Sequence, residues 1–109
     1  MLEDLPLDRA YAALADPTRR LLLERLQHGE SRITDLAAPI PMTFAGVSHH
    51  VGILEAAGLV RRDVRGREHW LSVRPEGLEL AERWIAEQSA FWSTRADALE
   101  ARLERRAGR

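Results

Sequence analysis

From Met42 to Val73 the chain reads Met-Thr-Phe-Ala-Gly-Val-Ser-His-His-Val-Gly-Ile-Leu-Glu-Ala-Ala-Gly-Leu-Val-Arg-Arg-Asp-Val-Arg-Gly-Arg-Glu-His-Trp-Leu-Ser-Val. No other stretch limits the possible folds as much. Val47, Val51 and Leu54 recur at i, i+4 and i+7, which sets one buried stripe on a short helix, flanked by Phe44 and His50. Thr43 is placed to cap that helix and Gly58 to end it. Val60 to Val64 and His69 to Val73 then alternate around Arg65-Gly66-Arg67, the pattern of a hairpin. A helix sized for the DNA major groove, followed by a basic ribbon, is the layout of a winged helix-turn-helix.

The rest of the chain supplies the helices such a fold needs. Leu7, Ala10, Tyr11, Leu14 and Ala15 form an apolar stripe on a first helix. Asp16-Pro17 starts a second helix, with Asp as N-cap and Pro at the first helical position. It runs to about His28, stops at Gly29 and buries Leu21, Leu22, Leu23 and Leu26. Ile33 to Ala38 is a short third helix, broken by Pro39 and Pro41. Pro75 opens a long last helix reaching at least Leu103, and the tail from Arg105 is expected to fray. The expected fold class is mainly α with a small β-hairpin. One domain accounts for the whole chain: N-terminal helices at 7–38, a recognition helix at 42–58, a wing at 59–74 and a C-terminal helix at 75–103.

The outward face of the 42–58 helix is small and polar. Ala45, Ser48, His49 and Gly52 lie opposite the core stripe, with Thr43 and Gly46 at the N-terminal end. A solvated helix face favours Glu, Lys and Arg, so small residues there imply that something approaches the backbone closely. Thr and Ser can bond phosphates or base edges, Ala can touch a thymine methyl, and His can donate to guanine. Thr43, Ala45, Gly46, Ser48 and His49 are therefore the candidate base-reading residues. Histidine is the one residue type on this face that changes charge near neutral pH, so affinity is expected to rise as pH falls from about 8 to 6.

Net charge, at −1, does not favour a nucleic-acid partner, but its distribution does. Met1 to Gly58 carries five Arg against eight acids, and Pro75 to Arg109 six against seven. Leu59 to Arg74 carries five Arg against two acids, so the wing is the net-basic segment. Arg65 and Arg67, with Arg61 or Arg62, are candidates for holding phosphates or entering the minor groove. Every basic Lys-or-Arg position is Arg, the residue that makes forked phosphate contacts.

Three segments together resemble the ArsR family of bacterial winged-helix regulators. They are Ala-Leu-Ala-Asp-Pro-Thr-Arg-Arg-Leu-Leu-Leu-Glu-Arg-Leu at Ala13 to Leu26, Val-Ser-His-His-Val-Gly-Ile-Leu-Glu-Ala-Ala-Gly-Leu-Val at Val47 to Val60, and Arg-Gly-Arg-Glu-His-Trp-Leu-Ser-Val at Arg65 to Val73. The resemblance covers about Leu7 to Leu103. It implies a homodimeric transcription factor, usually a repressor, that dimerises through its first and last helices. Leu7, Tyr11, Leu14, Trp84, Ile85, Phe91, Trp92 and Leu99 are the interface residues it points to.

The sequence departs from the metal-sensing members of that family. Thr34-Asp35-Leu36-Ala37-Ala38 stands where their third helix carries cysteines, and this chain has no cysteine. The last helix has no histidine, whereas a second family site uses His and acids there. His28, His49, His50 and His69 are scattered over three elements, and neighbouring helical positions diverge by about 100°. His50 is expected to pack or bond at the helix-turn-helix core, and His69 to pack on its strand beside Leu71 and Val73. No metal and no cofactor are expected. Phe91-Trp92 resembles a metal-free branch. Its rings are expected to form dimer core, with a small-molecule pocket lined by Trp84, Phe91 and Trp92 as the sharper alternative.

Other function classes find little support. There is no Gly-rich phosphate loop, no paired-carboxylate spacing and no nucleophile motif, so an enzyme is not expected. Ser48 and His49 are adjacent on a helix and cannot face each other as nucleophile and base. No run approaches the ~20 apolar residues that span a bilayer, and the acidic N-terminus does not read as a signal peptide. The expected address is the cytoplasm. The expected partners are double-stranded DNA and a second copy of the chain, with any inducer unidentified and no membrane. A winged-helix module for protein–protein contact without DNA readout is the alternative.

Overall fold

The computed structural model describes residues 6–108. The expected absence of a signal peptide rests largely on residues 1–5, which lie outside that range, as does Arg109 of the tail. Helices α1 (Pro6–Leu14) and α2 (Pro17–Leu26) are followed by strand β1 (Ser31–Arg32) and helices α3 (Ile33–Ala37) and α4 (Phe44–Ala56). Strands β2 (Val60–Arg65) and β3 (Glu68–Val73) form the hairpin, and α5 (Pro75–Ala107) closes the chain. No helix of the described residues is long and apolar enough to cross a membrane.

Local chemistry sets most of these boundaries. The Asp16 carboxylate accepts from the Arg19 backbone N–H at 3.1 Å, and Pro17 occupies the first turn of α2. Thr43 caps α4 by accepting from the Gly46 N–H at 3.0 Å. Gly66, at φ +64°, makes the left-handed step between β2 and β3, where Arg65 pairs with Glu68.

The core joins α2, α3, α4 and the inner face of the hairpin. Leu22, Val47, Val51, Leu54, Leu59 and Leu71 are almost wholly buried. The stripe expected on α4 is therefore the one that packs. Gly77 lets the first turn of α5 sit on the α4–β2 connection. A Cβ at Gly77 would lie 2.7 Å from the Gly58 carbonyl oxygen and 2.8 Å from a Leu59 methyl. The backbone there cannot yield cheaply. Gly77→Ala is expected to lower stability by about 1–3 kcal/mol, as overpacking does; an unchanged urea midpoint would refute that close approach.

The structure corrects the sequence reading in several places. β1 was not expected: Ser31 and Arg32 pair antiparallel with Leu71 and Trp70, giving a three-stranded sheet in the order β1-β3-β2. Two residues carry no period for a pattern to reveal. Leu21 is 38% exposed because its side chain falls outside the narrow stripe of Leu22, Leu23 and Leu26. Ala15 is exposed, since α1 ends at Leu14. Helical structure continues through Arg105 and Arg106 to Ala107 instead of fraying.

Candidate nucleic-acid interface

Helix α4 presents the face that its periodicity implied. Thr43, Ala45, His49 and Gly52 are exposed, and Gly46 and Ser48 are half-buried. Phe44, expected beside the core, is more than half exposed, so an aromatic ring joins the outer face at the first turn. No charged side chain stands on this face between Thr43 and Gly52.

The two histidines of α4 have different surroundings. His49 is exposed. The His50 side chain is only 15% exposed, with Nδ1 3.9 Å from an Asp16 carboxylate oxygen. An Arg19 guanidinium nitrogen lies 3.0 Å from the same Nδ1. Arg19 also donates to the carbonyls of Ala13 (2.7 Å) and Ala12 (3.1 Å). His50 thus straps the recognition helix to the start of α2. The Arg19 backbone N–H holds the Asp16 carboxyl below its ordinary range, and the Arg19 charge adds to this.

The wing arginines are not equivalent. Arg62 is 21% exposed and donates twice to a Glu55 carboxylate oxygen, at 3.1 and 2.8 Å. Its third contact is His69 Nδ1 at 3.0 Å. Arg62 is therefore tied to α4, and it also lines the cleft between α4 and the wing. Arg65 makes a forked contact with Glu30 at 3.1 and 3.0 Å and lies over the Trp70 ring. Hydrogen bonding to Glu30 raises its pKa further. Arg61 pairs loosely with Asp63 at 3.3 Å. Among the described residues Arg67 makes no hydrogen bond or ion pair, and it stands exposed at the turn. Sequence reading did not find Glu30 or Glu55 as partners, because they lie far from the wing along the chain.

The interface candidates lie on α1 and α5. Tyr11 donates its hydroxyl to the Ala81 carbonyl at 2.8 Å and meets Trp84 edge-on. Leu14 packs against the chain's own core, and Leu7 is half-buried. Trp84, Ile85, Phe91, Trp92, Leu99 and Leu103 are all about half exposed or more. At 100° per residue these six fall within roughly 120° of the helix circumference, so they form one apolar stripe. A concavity of about 490 Å³ on α5 is lined by Trp92, Arg95, Leu99 and Arg102 among others.

The family described as "Helix-turn-helix domain" matches residues 14–63. A crystal structure described as an ArsR family transcriptional regulator, RHA00566, superposes with a TM-score of 0.77 at 35% identity, over 81% of this chain and 91% of that one. The chain belongs to the ArsR family. An ArsR-like regulator from Rhodococcus sp. RHA1 superposes with a TM-score of 0.76 at 28% identity, over 87% of this chain and 90% of that one. The HTH-type transcriptional regulator Rv2034 of Mycobacterium tuberculosis is 41% identical over 71 residues, which make up 65% of this chain. That match spans 66% of the length of Rv2034. This ArsR-family chain is thus a winged helix-turn-helix transcriptional regulator. The third strand of its wing sheet, β1, is the element missing from the sequence reading.

Proposed function

We propose that two copies of this chain form a cytoplasmic, non-enzymatic repressor that binds a pseudo-palindromic operator. One domain carries every part: helices at 7–38, reader at 42–58, wing at 59–74 and dimer helix at 75–103. The single observation that supports this best is the exposed, uncharged face of α4 beside a wing whose turn carries an unpaired arginine. Thr43, Ala45, Gly46, Ser48 and His49 read or approach bases. Arg67 takes a phosphate, and Arg61 and Arg65 add positive field from paired positions. The apolar stripe of α5 supports assembly: without a partner it exposes large side chains along most of a 33-residue helix.

The test is a binding titration against salt with two single variants. Arg67→Ala is expected to flatten the slope of log affinity against log salt by roughly 0.9 per lost contact, so about 1.8 for a dimer. Arg65→Ala is expected to change it much less, because Glu30 already holds that guanidinium. Equal slopes for wild type and Arg67→Ala would take the wing turn out of the interface. No shift with any duplex at low salt would mark the chain as a protein-contact module.

A further inference from the structure

We infer that the cleft between α4 and the turn end of the wing seats one DNA backbone phosphate, with His69 as a donor. This rests on the DNA-binding reading above. The cleft measures about 490 Å³ and is lined by Phe44, Ser48, Arg67 and His69 among others. One carboxylate, Glu68, belongs to its wall. Both its oxygens are engaged, one by Arg32 at 2.8 Å and the other by the Trp70 indole N–H at 3.3 Å. What remains is a set of donors beside an aromatic ring, which suits an anionic group carried on a sugar.

His69 is built to donate here. An arginine can only donate, so the 3.0 Å contact makes His69 Nδ1 the acceptor from Arg62. The imidazole in that contact is neutral, with its proton on Nε2. Glu55 fixes Arg62 in turn, so α4 sets the orientation of a ring carried by β3. Among the described residues Nε2 has no partner, yet none of their buried side-chain nitrogens or oxygens lacks one. Its N–H is therefore open to a ligand. His69 also shares its strand face with the buried Leu71, which directs it toward α4 and away from the face that carries Trp70.

Groove geometry identifies the anion. A recognition helix in the major groove and a wing at the neighbouring groove straddle the strand that runs between them. The phosphate of that strand meets the junction of helix and wing, where Ser48, Arg67 and His69 converge. His69 brings a hydrogen bond and no charge, so its contact is separable from that of Arg67, which releases counterions.

The experiment uses a duplex selected by the wild-type protein from a random-sequence pool. Single phosphates are replaced in turn by neutral methylphosphonate. The wild type is expected to lose about tenfold in affinity at one phosphate of each half-site, the scale of a hydrogen bond to a charged group. His69→Phe keeps a ring of similar size but has no donor. It is expected to bind about tenfold more weakly per half-site with an unchanged salt slope, and to lose less affinity than the wild type when that phosphate is neutralised, because Arg67 still contacts it. His69→Gln keeps an acceptor and a donor and is expected to retain the sensitivity. If His69→Phe shows the wild-type methylphosphonate profile, or the wild type has no sensitive phosphate beside the wing, the seat does not exist. If the wild type selects no duplex from the pool, the DNA-binding reading fails, and this seat with it.

Discussion

Trp92→Glu is expected to give a monomer or an aggregate and to reduce operator affinity by at least a hundredfold. Trp92 is 63% exposed, and its ring meets Phe91, itself 54% exposed, edge-on at 5.4 Å. Trp84 and Ile85 continue the stripe toward the body, and Leu99 and Leu103 continue it outward. The isolated chain is far from compact. Its radius of gyration is 19.9 Å, whereas a compact chain of this length has about 13 Å. Its longest extent is 74 Å against 33 and 21 Å across, because α5 runs on past Ala81, its last buried residue. Apolar area of this kind drives association roughly in proportion to the surface removed from water. A glutamate in the middle of the stripe would place one carboxylate per protomer in that interface, at several kcal/mol for each ion without a partner. Operator binding falls with the dimer, because one recognition helix reaches one half-site. Analytical ultracentrifugation beside a mobility shift decides the matter. A folded monomeric variant that still holds the operator at wild-type affinity would refute assembly through α5.

His49→Ala and His50→Ala are expected to fail in different ways. His49 is exposed on the outer face of α4 and makes no hydrogen bond or ion pair among the described residues. Its loss is expected to leave the melting temperature unchanged and to relax discrimination by about 1–3 kcal/mol at the contacted base pair, roughly doubled over two half-sites. His50 is the strap between α4 and the start of α2. Its loss leaves Arg19 without one of its acceptors and is expected to destabilise the fold by about 1–2 kcal/mol. Sequence preference would survive in the fraction that stays folded. Melting curves and competition against single-base operator variants separate the two. If His50→Ala melts like the wild type and loses base preference while His49→Ala reads DNA normally, the two roles are reversed.

Rules that act within a few residues were enough for much of this protein. Asp16-Pro17, Thr43 and Pro75 mark helix starts because caps and fixed φ act over a single turn. Val47, Val51 and Leu54 set the phase of α4, and with it the outer face of Ala45, Ser48, His49 and Gly52, because helical geometry permits no other assignment. The apolar stripe of α5 could be read from the same spacing. Tertiary structure alone decided which of these groups remain available. Arg65 and Glu30 are 35 residues apart, and Arg19 and His50 are 31 apart. No local pattern links such pairs; only the packing of α4, the sheet and the early helices brings them within hydrogen-bond reach. Hence four arginines of similar appearance in the wing sequence became one fixed to α4, one fixed to Glu30, one loosely paired and one free among the described residues, and His69 became tied to Arg62. The two-residue strand β1 belongs with them, since its hydrogen-bond partners on β3 exist only once the hairpin has folded back beside it.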